Sequence, residues 1–290
     1  MIDLHIHTTY SDGTYSVKEI LKEAQEKKLE VISITDHDNV KAYKEIGKID
    51  VNNFYSGKII TGCEFKCVLP EYNLPIEILG YEFEVSIVEK FLDSHNNMEK
   101  QSKYLEHLKS VGKRIGLTFD ENIKVNLERA EYASLIFERE INKYEKNKQI
   151  LLENGINITT NFYRDAQSNK NSIFYIDEKN DYVQPDEIID LIHKAGGKSF
   201  LAHPYIYRVN NVLEMAQTLI NNYNIDGLEC YYSLFTQQQT NDLVELCKKN
   251  KLYRSGGTDF HGDNKPNIQL GNGIGNLNVR IENVQEWLTK

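Results

Sequence analysis

The sequence predicts an α/β protein: a distorted, seven-stranded (β/α)7 TIM-like barrel with an inserted helical subdomain. Three observations predict this fold class. Seven apolar runs of strand length occur along the 290 residues, most of them alternate with amphipathic helices, and the alternation is interrupted once by a long segment. Strands that alternate with helices form a parallel sheet covered by those helices. With seven strands, the barrel is a distorted relative of the eight-stranded one.

The elements before the interruption follow from apolar periodicity and from helix-start signals. Strands are predicted at residues 2–6, 31–35, 58–64 and 75–83. The first helix starts at Ser16, where Ser16-Val17-Lys18-Glu19 forms a capping box. A second helix is predicted at about 39–49. These elements give the first half of a barrel.

The alternation resumes after the interruption. A helix follows Gln184, because Pro185 suits a first helical turn and Gly196-Gly197 suits a helix end. Strands at 199–203, 227–231 and 252–256 then alternate with helices at 211–222 and 236–250. In a parallel sheet of this kind the active site lies at the carboxyl ends of the strands.

The interruption divides the chain into a discontinuous barrel domain, residues 1–84 and 182–290, and an insert, residues 85–181. Residues 99–114 and 128–153 show apolar positions three and four apart, which is typical of amphipathic helices. The apolar stripe is interpreted as a packing face, with a partner-binding helix as the weaker alternative. Insertions of this length are usually functional, so the insert is expected to be a lid or a substrate-binding subdomain.

Composition restricts the class of protein. With 40% hydrophobic and 27% charged residues, the chain is globular. It begins with a strand and contains no apolar run of membrane-spanning length, so a cytoplasmic location without membrane contact is expected. The net charge of -9 argues against stable binding of duplex nucleic acid. It does not exclude a small phosphorylated substrate, because bound divalent ions reverse the local charge.

The four cysteines contain no Cys-x-x-Cys pair. A thiolate zinc site or a redox motif is therefore not indicated, and the cysteines are expected to be reduced and structural.

Histidines and carboxylates recur where predicted strands end. Five of the 8 histidines fall in such segments. The segments are Asp3-Leu4-His5-Ile6-His7, Thr35-Asp36-His37-Asp38, Gly62-Cys63-Glu64-Phe65, Leu201-Ala202-His203-Pro204 and Gly257-Thr258-Asp259-Phe260-His261. Alternate residues of a strand point to the same side, so His5 with His7, and Asp259 with His261, can each direct two ligands to one point. The pattern predicts a centre for more than one metal ion; the alternative is that His and Asp merely favour loops.

Ser11-Asp12-Gly13 lies between the first two of these motifs, and Ala202-His203-Pro204 forms part of the fourth. In that order the chain resembles the PHP (polymerase and histidinol phosphatase) family of metal-dependent phosphoesterases, over both flanks of the insert. It is most similar to the stand-alone branch with a helical insert, which includes nucleoside-phosphate and small-oligonucleotide phosphoesterases. The resemblance implies the (β/α)7 barrel and two or three divalent ions of manganese, iron or zinc.

The resemblance also implies a set of ligands. His5, His7, Glu64 and Asp259 would hold a first ion. Glu64 would bridge to a second ion that also binds His203, and Asp12, His37 and His261 would hold a third and contribute to catalysis. Without the resemblance, Ser11-Asp12-Gly13 reads as an ordinary turn.

One position departs from the family pattern. The family usually has a histidine ligand in the fourth strand, where this chain has Glu77 in Ile76-Glu77-Ile78-Leu79-Gly80. A carboxylate also binds manganese, iron or zinc, so a changed second site is expected. The alternative is that Glu77 faces solvent.

The expected reaction is hydrolysis of a phosphate ester by a metal-bound hydroxide, since clustered ions lower the pKa of bound water and clamp phosphoryl oxygens. The expected substrate is a nucleoside phosphate, a 3',5'-nucleoside bisphosphate or a short oligonucleotide. Arg208, and with less support Arg129, are candidates for phosphate binding. Two alternatives stay open: a histidinol phosphatase, and a non-catalytic PHP scaffold that binds metal or a partner.

Overall fold

A computed structural model of the protein describes residues 1–95, 98–126, 130–159, 161–178, 180–284 and 286–288. The chain forms two compact units, one made of residues 1–94 and 182–290 and the other of residues 95–181. The helix at Val85–Ser94 lies in the first unit. From the sequence, residues 85–94 were expected to belong to the insert.

All seven strands belong to the first unit. Their order in the sheet follows the order in the chain, from β1 to β7. The strands are β1 Ile2–Ile6, β2 Val31–Ile34, β3 Lys58–Leu69, β4 Leu74–Tyr81, β5 Lys198–Leu201, β6 Gly227–Tyr232 and β7 Tyr253–Gly257.

The sheet is mixed, so the prediction of a parallel sheet is wrong for one strand. β4 is antiparallel to both β3 and β5, whereas the other neighbouring pairs are parallel. The reason is local. β3 continues to Leu69, and β4 begins at Leu74 after a turn in which Asn73 has a positive φ of 46°. So short a connection can join only antiparallel strands.

The first and last strands meet and nearly close the barrel. The Asp259 amide donates to the His5 carbonyl at 2.8 Å, and the His7 amide donates to the Phe260 carbonyl at 2.9 Å. This closure lies where β1 and β7 end. Ligand candidates from the two ends of the sequence therefore become neighbours.

Helices of the first unit pack around the barrel. The predicted capping box at Ser16 is present, and α1 buries Val17, Ile20, Leu21 and Ala24. Apolar residues of β3, β4 and β6 pack against the later helices in one large cluster. The helices of this unit are α1 Val17–Glu26, α2 Lys41–Ile46, α3 Val85–Ser94, α7 Pro185–Lys194, α8 Val212–Asn222 and α9 Gln237–Asn250.

The C-terminal segment packs at the end of the barrel where the parallel strands begin. Trp287 stacks on Tyr81 with ring centroids 5.3 Å apart and contacts Phe200 at 4.8 Å. Its indole nitrogen donates to the Arg254 carbonyl at 2.7 Å. Ile2 and Val31, near the starts of β1 and β2, belong to the same apolar cluster. This end is packed with apolar side chains, so the polar site lies at the other end.

The second unit is helical and has its own apolar core. Phe137, Phe162 and Phe174 form its centre, with ring centroids 5.0 to 6.0 Å apart. Its helices are α4 Met98–Arg114, α5 Ala133–Ile141, α6 Lys146–Glu153 and one π-helical turn, Tyr163–Gln167. None of the helices in the described part of the chain combines the length and apolar character that a bilayer span requires.

The four cysteines are free and buried. Cys230 and Cys247 lie 3.6 Å apart at sulfur, between β6 and α9.

Candidate metal centre

The His-x-His pair lies at the end of β1. His5 and His7 are fully buried, and the alternation of the strand directs both rings to the same side. The His7 ring lies 5.2 Å from the His5 ring, measured between centroids. Each Nε2 atom lies 3.3 Å from Glu64 Oε2.

Glu64 is the hub of the cluster. Besides the two histidines of β1, its Oε2 lies 3.1 Å from His37 Nδ1, and its Oε1 lies 2.9 Å from His203 Nε2. Glu64 was expected at a strand end, but it lies inside β3, which continues five residues beyond it. It still reaches the centre because the segment after β2 runs beside it: His37 pairs with Glu64 in a parallel bridge, and the Asp38 amide donates to the Glu64 carbonyl at 2.9 Å.

The loop after β7 supplies Asp259 and His261. Asp259 Oδ1 lies 3.4 Å from His7 Nε2 and 3.6 Å from His5 Nε2. The other oxygen, Oδ2, accepts from the Tyr232 hydroxyl at 2.7 Å and lies 2.6 Å from Lys265 Nζ. One carboxylate oxygen is thus fixed by the protein while the other faces the histidines.

Asp12 brings a further group together. Its Oδ1 lies 3.1 Å from His261 Nε2 and 3.5 Å from His7 Nδ1, and its Oδ2 lies 3.6 Å from His37 Nε2. Glycine is required at the next position, because a Cβ on Gly13 would lie 2.4 Å from the His7 carbonyl oxygen. The turn therefore folds tightly onto the end of β1.

Glu77 lies beside His203. Its Oε2 is 3.4 Å from His203 Nε2, and its side chain is 16% exposed, so it is neither deeply buried nor directed away from the cluster. The Tyr207 hydroxyl accepts from the Glu77 amide at 2.8 Å and fixes this part of β4. Potential ligand atoms of Glu77, Glu64 and His37 lie within 4.8 Å of one another. Glu77 thus occupies the region where the second ion is expected.

Several buried polar atoms of the cluster contact one another as ion pairs but form no well-directed hydrogen bond. They are His5 Nε2, His7 Nε2, Glu64 Oε2, Asp12 Oδ1 and Asp259 Oδ1. Burying a polar atom without a partner is costly, and such atoms in a folded protein call for an explanation such as a bound ion. Imidazole nitrogen and carboxylate oxygen are the donors that manganese, iron and zinc bind in proteins. The residues present therefore fit a multi-ion centre.

The charged groups of the cluster shift one another's pKa values. Burial opposes the charge on Asp12, but His261 and His37 hold the pKa of its carboxyl well below the usual range. Burial also opposes the charge on His37, yet Asp12 and Glu64 raise its pKa to about 10. Burial, together with Lys265, lowers the pKa of His261 to about 4. A proton on His37 thus balances carboxylates that a metal ion would otherwise neutralise, whereas His261 is uncharged near neutral pH.

Three residues at the site have left-handed backbone conformations. Their φ angles are 43° for Asp38, 29° for His203 and 58° for Asp259. Residues other than glycine adopt such angles at a cost, and such strain clusters at functional sites. Here the strained positions lie two to four residues after the ends of β2, β5 and β7, at or next to a ligand candidate.

Two buried aspartates hold the loops that carry ligand candidates. Asp36 accepts from the Thr8 amide and hydroxyl at 2.7 Å each and from the Ser11 hydroxyl at 2.5 Å. Asp3 accepts from the Thr258 amide at 2.9 Å and the Thr258 hydroxyl at 2.6 Å. Burial raises the pKa of both carboxyls. These aspartates shape the loops that carry Asp12 and Asp259.

From the sequence, Asp3 and Asp36 were named only as parts of motifs, and Glu229 and Lys265 were missed. Glu229 is fully buried in β6 and accepts from His5 Nδ1 at 2.9 Å. A carboxylate inside an apolar strand, as in Gly227-Leu228-Glu229-Cys230, was the one available signal. A buried charge of this kind requires a partner.

The two arginines expected to bind phosphate, Arg208 and Arg129, are not among the cluster residues described above. Arg208 is exposed, in the loop between the short helix Pro204–Ile206 and α8. Arg129 lies outside the described residues. Tyr232 contacts Asp259 and Tyr207 contacts Glu77, whereas Tyr205 donates to Asp242 at 3.3 Å.

Comparison with known proteins agrees with this architecture. The profile of the PHP domain family matches residues 3–250. The chain therefore belongs to the PHP domain family. The matched range includes every ligand candidate from His5 to His203, and Asp259 and His261 follow it in the next segment of the chain.

Particular relatives resemble the chain over nearly its whole length. The 5'-3' exoribonuclease Rnm of Escherichia coli is 25% identical over 283 residues, covering 93% of this chain and 87% of the relative. Phosphoribosyl 1,2-cyclic phosphate 1,2-diphosphodiesterase of Eggerthella lenta is 22% identical, covering 90% of this chain and 94% of the relative.

Solved structures show the same fold. A Bifidobacterium adolescentis protein, provisionally assigned as a metal-dependent phosphoesterase, has a TM-score of 0.68 at 21% identity, over 94% of this chain and 91% of that one. A Chromobacterium violaceum amidohydrolase with bound sulfate has a TM-score of 0.69 at 18% identity, over 91% and 88%.

Proposed function

We propose that this PHP-domain hydrolase cleaves phosphodiester bonds of short RNA from the 5' end, with two or three divalent ions. The observation that carries the proposal is the convergence of buried nitrogen and oxygen atoms that form no well-directed hydrogen bond. Nε2 of His5 and Nε2 of His7 each lie 3.3 Å from Oε2 of Glu64, and Asp259 Oδ1 lies 3.4 Å from His7 Nε2. Three exoribonucleases, each at 25% identity or less, support the substrate class.

In this proposal His5, His7, Glu64 and Asp259 hold the first ion. Glu64, His203 and Glu77 hold the second, and Asp12, His37 and His261 hold the third. When bound, such ions lower the pKa of water and neutralise the charge that accumulates on phosphoryl oxygens. Manganese or iron suits this set of nitrogen and oxygen donors, and zinc is the alternative.

The protein's own groups keep the carboxylates in place. Lys265 and Tyr232 both bind Asp259 Oδ2, so the carboxylate cannot rotate its Oδ1 away from the histidines without losing both contacts. His261 is uncharged near neutral pH, because its pKa is about 4, and its Nε2 faces Asp12. Catalysis depends on such preorganised groups more than on groups that must move into place.

A smaller phosphodiester is the second candidate. The Eggerthella lenta relative is named for a cyclic phosphate. The match covers 94% of that relative, compared with 87% of the Escherichia coli exoribonuclease. Both candidates require cleavage of a phosphodiester bond. They differ in whether a polynucleotide chain must enter the site. Histidinol phosphatase activity and a non-catalytic role are the remaining alternatives.

The test is a substrate panel on protein reconstituted with Mn²⁺. The panel contains a 3'-labelled, 5'-phosphorylated oligoribonucleotide, a nucleoside 3',5'-bisphosphate, a ribose 1,2-cyclic phosphate and histidinol phosphate. We expect stepwise release of nucleoside monophosphates from the 5' end. Asp259→Ala and His5→Ala should each retain under about a tenth of this activity, because losing a ligand exceeds the typical effect of outer-shell changes. Turnover of histidinol phosphate alone, or of no substrate, would refute the proposal.

A further inference from the structure

Glu229 contacts two ligand candidates that come from different strands. It lies in β6 and is fully buried. Its Oε1 lies 2.9 Å from His5 Nδ1, and its Oε2 accepts from the backbone amide of His203 at 2.7 Å. Each carboxylate oxygen is therefore engaged by one partner. None of the three proposed ion sites includes this residue.

The contact with His5 fixes the tautomer of that ring. The buried Glu229 carboxylate can only accept a hydrogen bond, so Nδ1 of His5 carries the hydrogen and Nε2 keeps a free lone pair. That Nε2 is the atom that lies 3.3 Å from Glu64 Oε2 and 3.6 Å from Asp259 Oδ1. Glu229 thus holds the His5 ring in the only neutral form that can bind the first ion.

The contact with His203 holds a strained backbone. His203 has a φ of 29°, and its ring places Nε2 2.9 Å from Glu64 Oε1 and 3.4 Å from Glu77 Oε2. A residue in this conformation persists only where its surroundings hold it. The hydrogen bond from its amide to a carboxylate is of the strong, charge-assisted kind.

We propose that Glu229 is a positioning residue that couples the first and second ion sites. One rigid carboxylate orients a ligand of each, so a change at Glu229 weakens both sites together. This inference rests on the proposed function, because it presupposes that His5 and His203 bind ions.

Glu229→Gln is the sharpest variant, since it keeps the size of the side chain but has only one acceptor oxygen. If the side-chain oxygen of the glutamine faces the backbone N–H of His203, its side-chain NH2 faces Nδ1 of His5. The hydrogen of the His5 ring is then forced onto Nε2, where an ion must bind. If it faces His5, the NH2 opposes the His203 N–H. In either orientation one ligand loses its acceptor, and the other keeps only a neutral one in place of a carboxylate.

The experiment is calorimetric titration of the metal-free full-length protein with Mn²⁺, with elemental analysis of the ions retained. We expect wild type to bind at least two ions and Glu229→Gln to bind the first and second about 10- to 100-fold more weakly. Glu229→Asp, which keeps two acceptor oxygens, should lie between them. Ser255→Ala is the matched control, because Ser255 lies opposite Glu229 in the β6–β7 register and is equally buried. It should bind like wild type.

The outcomes separate the two proposals. Unchanged affinity in Glu229→Gln, or a loss confined to one ion, overturns the coupling role and leaves the proposed function standing. If wild type itself binds no ion, the proposed function is refuted, and the coupling role that rests on it is refuted as well. Circular dichroism of each metal-free variant checks the fold; should Glu229→Gln not fold, the comparison of Glu229→Asp with Ser255→Ala decides.

Discussion

The Lys265 ammonium lies 2.6 Å from Oδ2 of Asp259, while Oδ1 of the same carboxylate faces His5 and His7. The two oxygens of Asp259 therefore have separate roles, one structural and one directed at the proposed ions. Burial raises and Lys265 lowers the pKa of Asp259, which ends well below its ordinary value. The lysine keeps this carboxylate charged and ready to bind a cation.

Replacing Lys265 by Met should make Mn²⁺ binding more sensitive to acid. Without the ammonium, the pKa of Asp259 rises, and protons compete with the ion at a higher pH than in wild type. We expect a loss of about 10-fold in affinity at mildly acidic pH, comparable to other outer-shell changes, and a smaller loss at mildly alkaline pH. Titrations at several pH values measure this. Lys265→Arg should behave like wild type, and a uniform loss at all pH values would contradict the electrostatic explanation.

Metal binding near neutral pH should release protons. In the metal-free protein the pKa of His37 is about 10, above its ordinary value, so His37 is charged at pH 7 and must lose its proton to bind an ion. The same shift stabilises the metal-free fold fully below the unfolded pKa of about 6.5. That stabilisation is lost as the pH rises through about 10. Calorimetry in buffers of different ionisation enthalpy should detect the released protons; equal heats in all buffers would be the contrary result.

Glu77 should determine which metal the second site prefers. A carboxylate is a harder donor than imidazole, so Glu77→His should shift preference from manganese or iron towards zinc. Glu77→Ala should weaken the second ion and lower turnover by more than the roughly 10-fold minimum of outer-shell changes. Metal content after competition between Mn²⁺ and Zn²⁺ measures the preference. If both variants match wild type in content and rate, Glu77 is not a ligand.

Replacing residues 95–181 with a flexible linker should leave a barrel that binds metal but discriminates poorly among phosphate esters. All proposed ligands lie in the first compact unit, residues 1–94 and 182–290. An insertion of this length inside a domain is usually functional, and substrate selection is the role proposed for it. The ratio of kcat/KM for an oligoribonucleotide to that for a generic aryl phosphate measures selectivity. An unchanged ratio would exclude this role.

Much of the barrel could be predicted from the chain because its signals are local. Apolar runs, the Ser16 capping box and the Pro185 helix start each reflect residues a few positions apart. The direction of β4 could not be predicted in this way. The pattern at 58–64 indicated a strand that ends with its ligand, whereas β3 continues to Leu69 and turns back directly into β4. Seven strands alone do not reveal which connection is a hairpin.

The sequence by itself determined which residue types can bind metal, and the alternation of β1 explains why His5 and His7 point to the same side. Strand alternation was also expected to place Asp259 and His261, but β7 ends at Gly257 and both residues lie in the loop that follows it. The tertiary structure decided which groups support those ligands. Glu229 binds His5 across 224 positions of the chain, and Asp3 binds Thr258 across 255. No local pattern specifies such pairs, because they exist only once the barrel closes and desolvation makes each buried charge depend on a partner.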